Sequence, residues 1–388
     1  MAKQDKKKEG DAPSVKGKPM RYARLTAGDP APWFVGRETL NPQYRFDTAG
    51  GRYILLCFFG SSRSPMAKSL FDDVLNKHRN LFDDSKISFF GVSADPGDIG
   101  KLKENIPGIR FFHDEGFAIS KLYGSSPMDG TTGDGSGINV RCVAYVLDPT
   151  MRIMKTVSLT SDSSHVDELV GFLKALPPVN RYSGIELQAP VIYLPNVFEP
   201  EFCRELIDLY EKEGGQESGF MRDVQGKTVE VRDYARKSRR DTIITEDRLL
   251  NELSSRIHRR IVPEIRKVHQ FHVSRIERYI VACYSAEEQG HFAAHRDDTT
   301  LGTAHRRFAV TINLNSEFEG GELSFPEYGE RSFKPAPGGA VVFSCSLLHA
   351  VSKVTKGKRY AFLPFLYDEA ARKVREENFK FLASNSGE

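Results

Sequence analysis

Four side chains in the second half of the sequence could share one piece of chemistry. His295 and Asp297 stand two apart in the stretch HFAAHRD (291–297), so on an extended chain both leave the same face. His349 follows in SLLH (346–349), and Arg359 comes ten positions later in KGKRYAF (356–362). Two imidazoles and one carboxylate on one face of a metal ion leave its opposite face open. That is the ligand set expected of non-haem Fe(II) that activates oxygen. An arginine beside such a centre offers a fixed fork for the carboxylate of an organic co-substrate. Histidine and aspartate two apart are common by chance, so the weight lies in the whole set. His291 shares the face parity of His295 and is the one rival ligand.

Short strands must carry these residues. Residues 275–284, 292–297, 308–314, 322–325, 340–344, 349–353 and 360–367 read as strands, parted by turns such as FEGG (318–321) and PAPGG (335–339). Many short strands at this spacing predict an antiparallel sandwich or barrel of jelly-roll type. Ahead of them lie a short strand at 191–194, a helix from 199 with Phe202, Leu206, Ile207 and Tyr210 on its apolar face, and a long helix over 246–268 with an irregularity at Pro263. Residues 214–241 are polar and hold Arg232, Arg236, Lys237, Arg239 and Arg240 close together. They read as a solvated loop, with a substrate-contacting lid as the sharper alternative.

The first half has a different grammar. The run YILLCFF (53–59) is continuously apolar, as in a strand covered on both faces. A helix over 66–80, a buried strand at 87–92, a helix at 117–123, a hairpin of 142–147 with 152–158, and a closing helix at 166–176 follow. This is the order of a thioredoxin-like sheet. Pro and Gly punctuate 177–184, where the boundary falls.

Two resemblances build on these words. GDPAPWF (28–34), GVSAD (91–95) and AYVLDP (144–149) are similar to peroxiredoxins over most of residues 23–176. A thiol enzyme of that kind sets its attacking cysteine at a helix N-terminus. Here Arg63 and Met66 occupy the two cysteine positions, Pro65 alone is kept, and Cys57 lies within the apolar strand. Residues 190–368 resemble the prolyl-4-hydroxylase branch of the Fe(II)/2-oxoglutarate oxygenases through VIYLPNVF (191–198), GGELSFP (320–326), PGGAVVF (337–343) and VTKGKR (354–359). This resemblance implies that His295, Asp297 and His349 hold Fe(II). It further implies that Arg359 binds the distal carboxylate of 2-oxoglutarate and that Tyr284 adds a hydrogen bond to the co-substrate. Asn313 stands where the family often has tyrosine. The implied reaction couples decarboxylation of 2-oxoglutarate to succinate with hydroxylation of a protein or small-molecule substrate by O2; ascorbate dependence is implied by the family.

The expected layout is a basic tail over 1–19 without order, a thioredoxin/peroxiredoxin-like α/β domain over 20–177, a linker at 178–189, and an oxygenase domain over 190–388. The last is an all-β double-stranded β-helix, or jelly roll, with flanking helices and a core at about 275–368. The formal charge of +3 is accounted for by residues 1–19, six lysines against three acids, so no general nucleic-acid surface is expected. No apolar run approaches the ~20 residues that span a bilayer, and no secretory leader opens the sequence, which leads to the expectation of a cytoplasmic protein without membrane contact. Five cysteines, odd in number and widely spaced, read as reduced thiols. Two further readings stand beside the oxygenase. One is a non-catalytic metal-binding or interaction protein whose thioredoxin-like half recruits a protein partner; the other is a thiol peroxidase.

Overall fold

The computed structural model describes residues 21–128 and 140–382. The tail expected over 1–19 lies outside them.

A seven-stranded sheet occupies the first half. Its order is Tyr44–Arg45, Val35–Glu38, Ile109–His113, Ile87–Ser93, Tyr53–Gly60, Val143–Leu147 and Ile153–Ser158. The three strands Tyr53–Gly60, Ile87–Ser93 and Ile109–His113 run parallel, and the hairpin from Val143 joins antiparallel. Side chains alternate across a strand, so the run from Tyr53 splits between two cores. Leu55, Cys57 and Phe59 meet Leu169 and Leu173 of the helix Ser164–Ala175. Ile54, Leu56 and Phe58 meet Phe34, Phe46 and Tyr123 on the other face. The helix expected over 66–80 starts as α-helix at Pro65–Ser69 and then widens to a π-helical stretch at Leu70–Asn76.

Two antiparallel sheets make the second half. The larger runs Arg275–Glu277, Phe365–Tyr367, Phe308–Asn313, Val354–Phe362, Ile280–Ser285, Arg240–Ile243, Gln216–Glu217, with Ala340–Ser344 and Ile192–Leu194 branching from it. The smaller orders Lys237–Ser238, His291–His295, His349–Val351, Leu323–Ser324 and Ser332–Phe333. Between them lie Ala282, Tyr284, Ala309, Phe343, Val351 and Phe365, a jelly-roll interior. On the outer face of the larger sheet Val281, Cys283, Val310, Ile312 and Phe362 pack under the helices Pro200–Glu213, Asp247–Arg260 and Val262–His269. Parity therefore decides which residues can reach the interior: Tyr284, Thr311, Asn313 and Arg359 are in phase with it, and their neighbours are not.

Several expectations shift. The long helix breaks at Ile261, so Pro263 falls in the first turn of the following helix, where its missing N–H costs no intrahelical bond. The strand expected over 275–284 is interrupted at Arg278, whose φ is +66°. Residues 214–241 are not a loop but contain the hairpin Phe220–Val224/Lys227–Val231 and strands that seat Lys237 and Arg239 in the interior. Polar composition misled there because the buried cations find partners: Lys237 donates to Ser218 Oγ at 2.8 Å, and Arg239 to Asp241 Oδ1 at 2.7 Å.

Candidate metal centre and its two pockets

His295 and His349 stand directly opposite each other on neighbouring strands of the smaller sheet. Their ring centroids are 4.2 Å apart. The strand ends at His295, and the chain turns so that Asp297 N–H donates to the Cys345 carbonyl at 2.9 Å. That anchor brings the Asp297 carboxylate between the imidazoles, with Oδ1 3.5 Å from His295 Nε2 and Oδ2 3.4 Å from His349 Nε2. Cis ligands of a metal with bonds of about 2.1 Å sit about 3 Å apart, so these donor atoms are near coordination distance of a common point. Among the described residues this is the one grouping of three or more His, Cys, Asp or Glu side chains that could hold a metal ion.

The second nitrogens explain the orientation. His295 Nδ1 is 2.8 Å from the Ala293 carbonyl, and His349 Nδ1 is 3.0 Å from that of Leu347. A carbonyl only accepts, so each Nδ1 carries the proton and each Nε2 turns a lone pair toward Asp297. Phe292 stacks on His295 at 3.5 Å, and Phe343 packs edge-on against His349. Burial, reinforced by His295, pushes His349 down to about 4, so it is neutral and able to ligate at pH 7. For Asp297 burial acts to raise the carboxyl, but in acid, where the imidazoles of His349 and His295 carry charge, their attraction outweighs it and holds the carboxyl well below the usual carboxylate range. His291 is elsewhere, with Nδ1 2.8 Å from the Gln289 carbonyl, and is no part of the grouping.

An inner pocket runs from His295, Asp297 and His349 to Arg359. Arg359 is 2% exposed. Its Nε donates to Asn313 Oδ1 at 3.1 Å and its Nη2 to Thr311 Oγ1 at 2.9 Å, while Nη1 has no partner. Among the described residues no carboxylate pairs with it, and burial, opposed by Tyr284 and reinforced by Arg239, lowers its pKa. A buried guanidinium held by two neutral groups, with its Nη1 amino group free, is a half-finished anion site. The Tyr284 ring lies 5.2 Å from the Arg359 carbon, and its hydroxyl accepts from Arg239 Nη1 at 3.4 Å. Thr311 is not among the residues singled out from the sequence, and Asn313 is named there only as standing in a tyrosine's place. The signal was available: in FAVTIN (308–313) they are the two polar residues of an otherwise apolar strand, two apart and so on one face.

An outer cleft of about 410 Å3 opens on the other side of the same centre. His295 and Asp297 lie on its wall together with Val35, Gln43 and Arg45 from the first half of the chain.

The thiols are not part of this chemistry. Cys57 is fully buried, and burial pushes its thiol far up. Ser64 caps the following helix through Ala67 N–H at 3.1 Å, Pro65 opens it, and Arg63 points outward to pair with Asp95 at 2.8 Å.

Among known proteins, no family model matches the chain. A PKHD-type hydroxylase of Idiomarina loihiensis is 31% identical over 99 residues, 24% of this chain and 44% of its own length. One from Cupriavidus metallidurans is 26% identical over 186 residues, 44% of this chain and 75% of its own. The chain thus spans less than half of the first of these relatives. A solved prolyl hydroxylase from Trichoplax adhaerens, in complex with a hypoxia inducible factor peptide, covers 50% of this chain and 89% of its own at 17% identity, with a TM-score of 0.40, too low to establish a common fold. The sequence relatives are named as hydroxylases.

Proposed function

We propose that the chain is an Fe(II)- and 2-oxoglutarate-dependent dioxygenase of hydroxylase type. His295, Asp297 and His349 hold the iron, Arg359 takes the distal carboxylate of 2-oxoglutarate, and Asn313, Thr311 and Tyr284 keep that arginine in place. The sheet of the first half is a thioredoxin-like domain of peroxiredoxin kind without its thiol, and the two domains divide at 178–189. The observation that carries this reading is the unpartnered Nη1 of Arg359, at the end of a pocket whose other end is the three-residue grouping. Bound iron and keto acid supply the oxygen chemistry; these residues bind, orient and shield them. The two histidines offer neutral nitrogens, the aspartate offers charge, and the aromatic rings of Phe292 and Phe343 keep water from the ligand atoms. Retention of Asp297 as a carboxylate favours hydroxylation. Ascorbate serves, on this reading, as a reductant that keeps the iron ferrous.

The test is succinate formation. Protein loaded with Fe(II) releases succinate from 2-oxoglutarate only when oxygen is admitted, and His349→Ala abolishes the release. Equal release by wild type and His349→Ala would remove the assignment.

A further inference from the structure

The outer cleft carries charge that the oxygenase reading does not use. Seven arginine or lysine side chains line it against two carboxylates, one of them Asp297. Four of the cations are engaged. Arg296 binds Glu327 at 2.8 Å, Arg306 binds Glu277 at 2.9 Å, Arg278 binds Asp241 at 3.3 Å, and Lys237 is held by Ser218. Among the described residues Arg222 and Arg236 are left without an acid, and Arg45 shares its one. Arg45 pairs with Asp47 at 3.2 Å and donates to the Thr299 carbonyl at 3.2 Å, but Arg296 draws on the same carboxylate at 3.5 Å. Arg222 reaches a neutral carbonyl, that of Gln43, at 3.4 Å, and among the described residues no acid stands within ion-pair distance of Arg222 or Arg236. The second carboxylate of the lining, Asp223, is turned to Thr228 Oγ1 and the Leu301 N–H instead. Arg236 is half-buried, and burial together with the charges of Arg222 and Arg45 disfavours its cation. Three guanidinium groups that repel one another in a cleft are stabilised by an anion among them.

The position of the cleft ties this charge to the centre. Arg296 stands between the ligands His295 and Asp297, and it reaches across to the first half of the chain. Its Nη2 donates to the Asp47 carbonyl at 3.2 Å, and its guanidinium stacks on Trp33 at 4.2 Å. The first half therefore walls the cleft and is held against the strand end that carries the ligands. Arg45 belongs to that wall, while Arg222 and Arg236 face it from the hairpin and its continuation.

We propose that this cleft is the substrate site and that the substrate is anionic, with a carboxylate or phosphate seated among Arg45, Arg222 and Arg236 and the group to be oxidised lying at His295 and Asp297. The thioredoxin-like half then selects substrate through Arg45 rather than through thiol chemistry. This rests on the oxygenase reading for the name of the site but not for the anion itself. About 410 Å3 suits a small molecule or a residue or two of an extended peptide.

Calorimetric titration of the full chain with inorganic phosphate, a tri-glutamate peptide and a tri-lysine peptide tests it. Phosphate or tri-glutamate binds, tri-lysine does not, and affinity falls as salt is raised. Phosphate alone assigns a phosphorylated substrate, and tri-glutamate alone a carboxylate-rich one. Arg222→Ala/Arg236→Ala and Arg45→Ala each weaken the anion about tenfold or more, while Arg222→Lys/Arg236→Lys keeps most of the affinity. Wild type binds 2-oxoglutarate and the anion together. Wild type that takes the anion but no 2-oxoglutarate supports the cleft and sinks the oxygenase reading. Silence toward both anions, equal affinity in the alanine variants, or mutual exclusion with 2-oxoglutarate, which would put the anion at Arg359, overturns the proposal.

Discussion

At the scale of single residues the site is a matter of which polar atoms are satisfied and which are not. Arg359 spends Nε on Asn313 and Nη2 on Thr311 and keeps Nη1 free. Arg359→Ala should weaken 2-oxoglutarate by about 1.5–3 kcal/mol, the worth of hydrogen bonds to a charged group, and leave iron binding intact. An unchanged apparent affinity for 2-oxoglutarate would take Arg359 out of the site. Asn313→Ala should act in the same direction through Arg359, by about 1 kcal/mol, and Arg359→Ala/Asn313→Ala should lose little more than Arg359→Ala alone. That His295, Asp297, His349 and Arg359 belong together could be read from residue type and spacing. Asn313 was passed over because it was weighed against a tyrosine rather than against its own strand, where Thr311 shares its face. Arg296 was illegible for a physical reason: its partner Asp47 lies 249 positions away.

At the scale of elements, alternation did most of the positioning. Tyr284 and Arg359 are paired across adjacent strands, so both point inward together. The strand Val354–Phe362 can deliver Arg359 because Gly357 adopts φ +72°, where a Cβ would run into the Glu317 carbonyl oxygen. Gly357→Ala should therefore cost at least about 1–2 kcal/mol of stability, read by denaturant unfolding, and loosen 2-oxoglutarate as well. Full stability with unaltered binding would show that the turn is not needed. Periodicity revealed the strands, and the residue type of Pro263 marked the break in the long helix. It failed at 214–241, where a strand of cations is buried by Ser218 and Asp241, partners that composition does not announce.

At the scale of the molecule the two halves meet at Arg296. Its guanidinium is buried with Asp47 and Glu327, also buried, so removing it strands Glu327 and leaves Asp47 to Arg45 alone. Arg296→Met should destabilise the fold by about 3–5 kcal/mol, and Arg296→Met/Glu327→Gln should recover part of that loss. Additive losses would mean that the pair is not coupled. Four of the seven strands of the first half were readable from its apolar runs, and so was the absence of cysteine at the helix start; the strands Val35–Glu38, Tyr44–Arg45 and Ile109–His113 were not, nor was the contact with the strand that carries His295, because nothing local encodes it. Among the described residues no helix is long and apolar enough to cross a membrane. With Cys57 fully buried, native protein should resist maleimide at that position until unfolded. Prompt labelling of Cys57 in the native state would reopen thiol chemistry.

The central claim is most directly met by adding Fe(II) and then 2-oxoglutarate to the full chain without oxygen. A weak visible charge-transfer band is expected on the second addition, absent in His349→Ala and requiring more 2-oxoglutarate in Arg359→Ala. Iron that binds wild type while 2-oxoglutarate produces no band would contradict it.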